Sequence, residues 1–198
     1  MTRSNFRSVP FLALITLFFL SGCSLLPSNN PDELDQLNHW QVRGKLSVSN
    51  GKEAITGYLS WDQKYQDYDL FISGPLGQGS TRLTGDNKKA SLTLPNKPAV
   101  TASSARQLMK QYMGWDFPVE DLKYWVKAQP SPTAAFKEKR DGSGLLNTLE
   151  QYGWDITYSR YSRQGTHWLP GRIKLVRTDE QGRYFKFIFA TKEWTIYD

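Results

Sequence analysis

The stretch "WQVRGKLSVSNGKEAITGYLSW", Trp40 to Trp61, decides the fold class. Val42, Gly44, Leu46 and Val48 alternate with polar residues, "SNGK" turns the chain, and Ile55, Gly57, Leu59 and Trp61 alternate again. A period of two on both sides of a Gly-containing turn predicts a β-hairpin with one buried face. Working outward, Tyr68, Leu70 and Ile72 continue as a third strand, Thr81 to Thr84 as a fourth, and Ala90, Leu92 and Leu94 follow the turn "GDNK" as a fifth. The same period returns at Trp154, Ile156 and Tyr158, at Ile173 and Leu175, across the hairpin "DEQGR" into Tyr184 to Ala190, and at Trp194 and Ile196. Roughly nine to eleven strands at hairpin spacing predict one antiparallel sheet curled into a barrel or half-barrel.

Helical signals interrupt this pattern at three places. "NPDELDQLNHW" opens with Asn30 as N-cap, Pro31 at the first helical position and Asp32 and Glu33 in the first turn, with Leu34 and Leu37 on one face. "SSARQLMKQYMG" has an N-cap serine, Leu108, Met109, Tyr112 and Met113 at helical spacing, and Gly114 as a stop. "FPVEDLKYWVKAQPSP" predicts a further helix starting at Pro118, with Val119, Leu122 and Trp125 or Val126 on its apolar stripe.

The first thirty residues set the address. Arg3 and Arg7 precede an apolar run from Pro10 to Leu20, which ends in Leu20-Ser21-Gly22-Cys23. That is the layout of a secretory signal, and the run is too short for the roughly 20 helical residues that span a bilayer. The last four residues resemble the bacterial lipobox, after which the cysteine is lipidated and becomes the new N-terminus. Cys23 is the only cysteine in the chain, so an intramolecular disulfide cannot account for it. Ser24 rather than Asp follows it, and by that resemblance points to the outer membrane. The expected organisation is a signal over residues 1–22, a lipidated tether over 23–30 and a single β-barrel domain over 31–198.

Loss of Arg3 and Arg7 with residues 1–22 leaves 23 Lys and Arg against 19 Asp and Glu, a net charge of +4. That mild excess suits acidic partners or anionic membrane surfaces. Basic character with abundant aromatics also occurs in single-strand nucleic-acid grooves, but an exported lipoprotein has little access to nucleic acid. His39 and His167, each beside a tryptophan, have no second ligand at metal spacing, and no cysteine is left for a zinc site. "DGSGL" lacks the strand-to-helix setting of a nucleophile elbow, and no phosphate-binding glycine loop occurs. Glu120 and Asp121 read as first-turn charges favoured by the helix dipole. No cofactor and no enzymatic activity are expected.

"GPLGQGSTRLTG" (residues 74–85), "GWDFPVEDLKYWVKAQP" (114–130), "LEQYGWDITYSRY" (149–161) and the terminal "KEW" (192–194), in that order behind a lipobox, resemble the outer-membrane lipoprotein receptor LolB family over nearly all of the mature chain. In one place the chain departs from the family: Trp125-Val126-Lys127-Ala128 carries alanine where a glycine helix stop is expected. The resemblance implies an incompletely closed antiparallel β-barrel, mainly β with helices forming a lid, enclosing an apolar cavity. It implies a monomeric receptor that takes acylated lipoprotein cargo from a LolA-like periplasmic carrier chaperone and inserts it into the phospholipid of the inner leaflet of the outer membrane. Leu76, alone among Gly and Pro in "GPLG", corresponds to the family's protruding, membrane-delivery leucine.

For the cavity lining, the alternating strand residues and the helix residues single out Leu59, Trp61, Leu70, Ile72, Leu92, Ile156, Leu108, Met109 and Trp125. The same positions would be apolar in any barrel filled by its own core, so for each of them core packing is an equal reading. Methionine suits a pocket that must fit variable chains, because it repacks at low cost. Two other functions compete: a scaffold lipoprotein that binds a protein partner through its sheet edge, and a lipid-directed hydrolase.

Overall fold

The predicted hairpin is present in the computed structural model of the chain: β1 (His39–Ser49) pairs antiparallel with β2 (Ala54–Lys64), with Leu46 opposite Gly57 and Val42 opposite Trp61. The structure describes residues 31–77, 79–114 and 116–197, with only the backbone of Pro31, Asp32, Leu76 and Met113. The signal, Cys23 and the Asn30 cap lie outside the described residues.

The meander continues through β3 (Asp67–Ser73), β4 (Thr81–Gly85), β5 (Ala90–Thr93) and β6 (Val100–Ala102). The second half adds β7 (Phe136–Arg140), β8 (Leu146–Gln151), β9 (Trp154–Ser159), a separate two-stranded ribbon of β10 (Ser162–Gln164) and β11 (His167–Leu169), then β12 (Arg172–Thr178) and β13 (Tyr184–Ile196). Eleven strands form one antiparallel sheet in the order β6-β5-β4-β3-β2-β1-β13-β12-β9-β8-β7. The outermost strands, β6 and β7, do not pair with each other, so the barrel is not closed.

The long central strands β1 and β13 carry the bend. Their register slips between Arg43 and Gly44, leaving Lys192 as an extra residue on β13. A Cβ on Gly44 would collide with the Ala190 carbonyl oxygen, so only glycine lets the two backbones approach this closely at the bulge.

The helices follow in part as expected. α1 (Pro31–Gln36) buries Leu34 and the following Leu37. α2 (Ala105–Met113) is capped by Ser104, whose side chain accepts from the Gln107 amide, and it stops at Gly114 with φ 71°. The helix expected from Pro118 is instead a 3-10 turn at Val119–Asp121 and a single α-turn, α3 (Leu122–Trp125). Asp121 spends its carboxylate on the hydroxyls of Ser131 (2.5 Å) and Thr133 (2.8 Å) rather than on a cap, and Glu120 accepts the Arg106 amide at 3.1 Å. Glu120 therefore braces the start of α2 and Asp121 the segment that follows α3, beyond any dipole effect.

α3 ends without the family's glycine and keeps the geometry. The Gln129 amide donates to the Tyr124 carbonyl and the Ala128 amide to the Trp125 carbonyl, each at 3.0 Å, which is the paired bond pattern of a Schellman stop. Ala128 takes the left-handed position, with φ 59°.

Two further sequence expectations need correction. Ile55 has the parity of a buried residue but is 72% exposed, because β3 ends at Ser73 opposite Tyr58 and leaves the tip of the hairpin uncovered. Strands β6, β7, β8, β10 and β11 escaped the period-two reading. β7 is exposed at all five positions and β8 buries Leu146 and Leu149, three apart, beside a register shift.

Candidate functional site

The concave face of the sheet is apolar and lies beneath the helical segment 105–129. α2 packs on β5 and β6, and the 3-10 turn and α3 carry the cover onward. All nine lining candidates fall in one contiguous apolar cluster: Leu59, Trp61, Leu70, Leu92, Leu108, Trp125 and Ile156 are buried, and Ile72 and Met109 are half-buried against them. Burying each large side chain fully contributes about 1.5–3 kcal/mol, so the cluster also holds the fold together.

Three aromatics that sequence reasoning did not single out as lining meet where the cover descends onto the sheet. Phe117 from the cover stacks on Phe187 of β13 (centroids 4.9 Å, 22°) and meets Trp154 of β9 edge-on (5.1 Å, 83°), while Trp154 and Phe187 are 5.5 Å apart. Phe185, Phe187 and Phe189 alternate along β13 and could have been found by their period of two. Phe117 had no such signal, since it precedes a proline outside any periodic segment.

Polar ties hold the cover in place. Trp125 Nε1 donates to Gln151 Oε1 at 2.8 Å, and the same oxygen accepts the Ser131 amide at 2.9 Å. Gln151 Nε2 donates to the carbonyls of Ser131 (2.7 Å) and Ala134 (2.9 Å), so this buried amide is fully used. Lys127 Nζ donates to the carbonyls of Leu34 (2.6 Å) and Leu37 (3.2 Å), which ties the end of α1 to the cover; burial lowers its pKa to about 8. Nearer the surface, Arg106 grips Asp116 through two hydrogen bonds and holds its carboxyl below the usual range, and Lys123 donates to Gln66 at 2.7 Å.

The open space under the cover is divided. A cavity of about 360 Å³ lies between the end of α2, Asp116 and Phe117 on one side and β9, β12, β13 and the turn at 179–183 on the other. A second, of about 230 Å³, lies at the α1 end beside Trp40, Gln63 and Lys127, and a third, of about 50 Å³, touches Trp61, Leu70 and Tyr68. None of the nine candidates lines the 360 Å³ cavity; Trp61 and Leu70 line the 50 Å³ one. Between these spaces the chain's own side chains fill the interior, Trp40, Trp125, Leu92, Leu108, Leu149 and Ile156 all being less than 2% exposed.

Leu76 lies in a 3-10 turn, Pro75–Gly77, that joins β3 to β4, and its side chain is outside the described residues. His39 stacks on Tyr197 at 4.3 Å, and among the described residues no three potential ligands gather as a metal group.

An open, curled antiparallel sheet with a helical cover over its apolar face is the fold that defines the class. It is shared with a LolA superfamily protein from Nitrosomonas europaea (TM-score 0.53, 10% identity, 84% of this chain and 91% of that one). A DUF1329 family protein from Desulfovibrio piger shares it too (TM-score 0.55, 10% identity, 83% and 88%). The family described as outer membrane lipoprotein LolB matches residues 38–194. The outer-membrane lipoprotein LolB of Pseudomonas fluorescens is 35% identical over 198 residues, covering 93% of this chain and 94% of its own, and that of Pseudomonas syringae pv. syringae is 33% identical over 202 residues, covering 95% of each. The chain belongs to the outer-membrane lipoprotein LolB family, and with it to the lipid-anchored outer-membrane receptors of lipoprotein localisation.

Proposed function

We propose that this protein, anchored through lipidated Cys23, takes the acyl chains of a lipoprotein from a periplasmic carrier between its concave sheet and helical cover, and releases them into outer-membrane phospholipid. The observation that carries this reading is the Phe117 ring seated on the apolar sheet face, on a cover tied partly by surface contacts such as Arg106 with Asp116 and Lys123 with Gln66. Exposed pairs of this kind contribute about 0–1 kcal/mol each. An entering chain therefore displaces Phe117 and these ties, and replaces the lost aromatic contacts with its own methylenes.

The energetics favour a relay of this form. Each acyl methylene costs about 0.8 kcal/mol to expose to water, so cargo moves only between apolar hosts. Every 1.4 kcal/mol of extra affinity over the donor shifts occupancy about tenfold, and no covalent step or nucleotide is required. The protein acts as a monomer in this scheme, with Leu76 presenting one apolar side chain to the membrane. A scaffold role through the sheet edge is less well supported, because β7 exposes Lys137, Glu138, Lys139 and Arg140, and charges of this kind blunt an edge against strand addition.

The test is titration of the unlipidated mature chain, carrying Cys23→Ala, with a long-chain fluorescent fatty acid. Saturation at one probe per chain is expected. Absence of binding would sink the acyl-chain reading.

A further inference from the structure

The 360 Å³ cavity has features that alkyl chains alone would not use. Its floor is the aromatic group of Phe117, Trp154 and Phe187, but Lys110, Arg177, Arg183, Asp116, Asp179 and Glu180 also line it. Two of the carboxylates are held by their own arginines, Asp116 by Arg106 and Asp179 by Arg183. Glu180 is exposed on the turn.

Arg177 occupies the position after Ile173 and Leu175 on the apolar face of β12, an unusual place for a cation. Its guanidinium lies 5.9 Å from the centre of the Trp154 ring and donates to the Asp116 carbonyl at 3.3 Å. Among the described residues neither Arg177 nor Lys110 has a carboxylate within ion-pair distance. A guanidinium has five N–H donors, so most of Arg177's capacity remains. Trp154 is 3% exposed, and its Nε1 has no acceptor among the described residues. That nitrogen is closed off from the cavity, so Trp154 meets the cavity with its ring and not with its N–H. A planar fork and a lysine ammonium beside an aromatic floor match an anionic oxygen group attached to an alkyl chain.

We infer that this cavity is a head-group subsite for an anionic single-chain amphiphile. Arg177 and Lys110 receive a phosphate or carboxylate, and the first methylenes lie on the rings of Phe117, Trp154 and Phe187. The inference rests on the proposed acyl-chain function, because the rest of the alkyl chain must continue beneath the cover. Glu180 opposes the anion and sets an upper limit on its affinity.

Titration calorimetry on the unlipidated mature chain, with ligands below their micelle concentrations, tests this with dodecyl phosphate, dodecyl maltoside and inorganic phosphate. The expected result is affinity for dodecyl phosphate about tenfold above that for dodecyl maltoside, falling with added salt, and weaker binding of inorganic phosphate than of either amphiphile. Arg177→Met should bring the two amphiphile affinities together, Arg177→Lys should keep part of the difference, and Glu180→Gln should enlarge it. Thermal melts of each variant confirm that it is folded. Equal affinities in the wild-type protein, or a preference that survives Arg177→Met, would overturn the head-group subsite while leaving the acyl-chain reading standing. Inorganic phosphate binding as tightly as dodecyl phosphate would overturn it in favour of a simple anion site. Binding of neither amphiphile would remove the acyl-chain reading and this inference with it.

Discussion

The ring of Phe117 stacks on that of Phe187, with centroids 4.9 Å apart and planes 22° from parallel, so a residue of the helical cover is seated on the apolar face of the longest strand. The contact closes the interior beside the 360 Å³ cavity, which both rings line. Phe117→Ala should lower stability by about 3–5 kcal/mol and join the vacated volume to that cavity. Denaturant unfolding together with stopped-flow uptake of a fluorescent fatty acid should then show a weaker fold that accepts the probe faster. Slower uptake would mean that Phe117 guides the chain rather than blocking it.

Gln151 ties the cover from below. Leucine at this position would strand the Trp125 indole N–H, the Ser131 amide and the carbonyls of Ser131 and Ala134 in a buried site. The expected loss is about 3–5 kcal/mol, with earlier hydrogen exchange at residues 122–134 than in the rest of the chain. Uniform loss of protection would show that the cover does not open as a unit.

Ala128 occupies a backbone position suited to glycine, at φ 59° in the Schellman stop of α3. A left-handed residue with a Cβ costs about 1–2 kcal/mol, and glycine's extra chain entropy recovers part of that difference for the unfolded state. Ala128→Gly is therefore expected to stabilise the protein by up to about 1 kcal/mol, read as a higher urea midpoint at unchanged slope. A lower midpoint would mean that packing of the buried Ala128 methyl outweighs the backbone strain.

Lys127 makes stability depend on pH in a defined window. Burial brings its pKa down to about 8 in the folded protein, against 10.5 for an unperturbed lysine. Between these values the unfolded chain holds more protons than the folded one, so raising the pH stabilises the fold. The neutral amine still has two donors for the carbonyls of Leu34 and Leu37. The unfolding free energy of the wild type should thus gain on that of Lys127→Met from about pH 8 to pH 10.5. A constant difference across that window would show that the amine titrates in the folded state as it does in the unfolded chain.

Leu76→Glu is expected to leave the melting temperature and fatty-acid binding near wild type while stopping transfer of cargo to outer-membrane vesicles. A single leucine entering an apolar phase contributes about 1.5–3 kcal/mol, enough to bias a cavity mouth toward lipid but not to anchor the protein. Loss of the fold in this variant would place Leu76 in the core.

Much of this molecule is legible in its local sequence. The alternation from Val42 to Trp61 and again from Trp154 to Ile196 specifies strands with one apolar face, and Ser104 and Gly114 bound α2, because side-chain parity and end capping depend only on near neighbours. Four ordered motifs behind Cys23 were enough to indicate the family. What depended on distant partners could be decided only in the tertiary structure. Asp121 is drawn to Ser131 and Thr133 on the segment that follows α3, and the uncovered hairpin tip leaves Ile55 in solvent. Phe117 is set on Phe187, and Arg177 stands on a face that its strand otherwise fills with apolar side chains. The physical reason is that burial and hydrogen-bond satisfaction are summed over the whole sheet and its cover. A residue such as Gln151 acquires its role from groups 17 to 26 positions away, which no local period can encode.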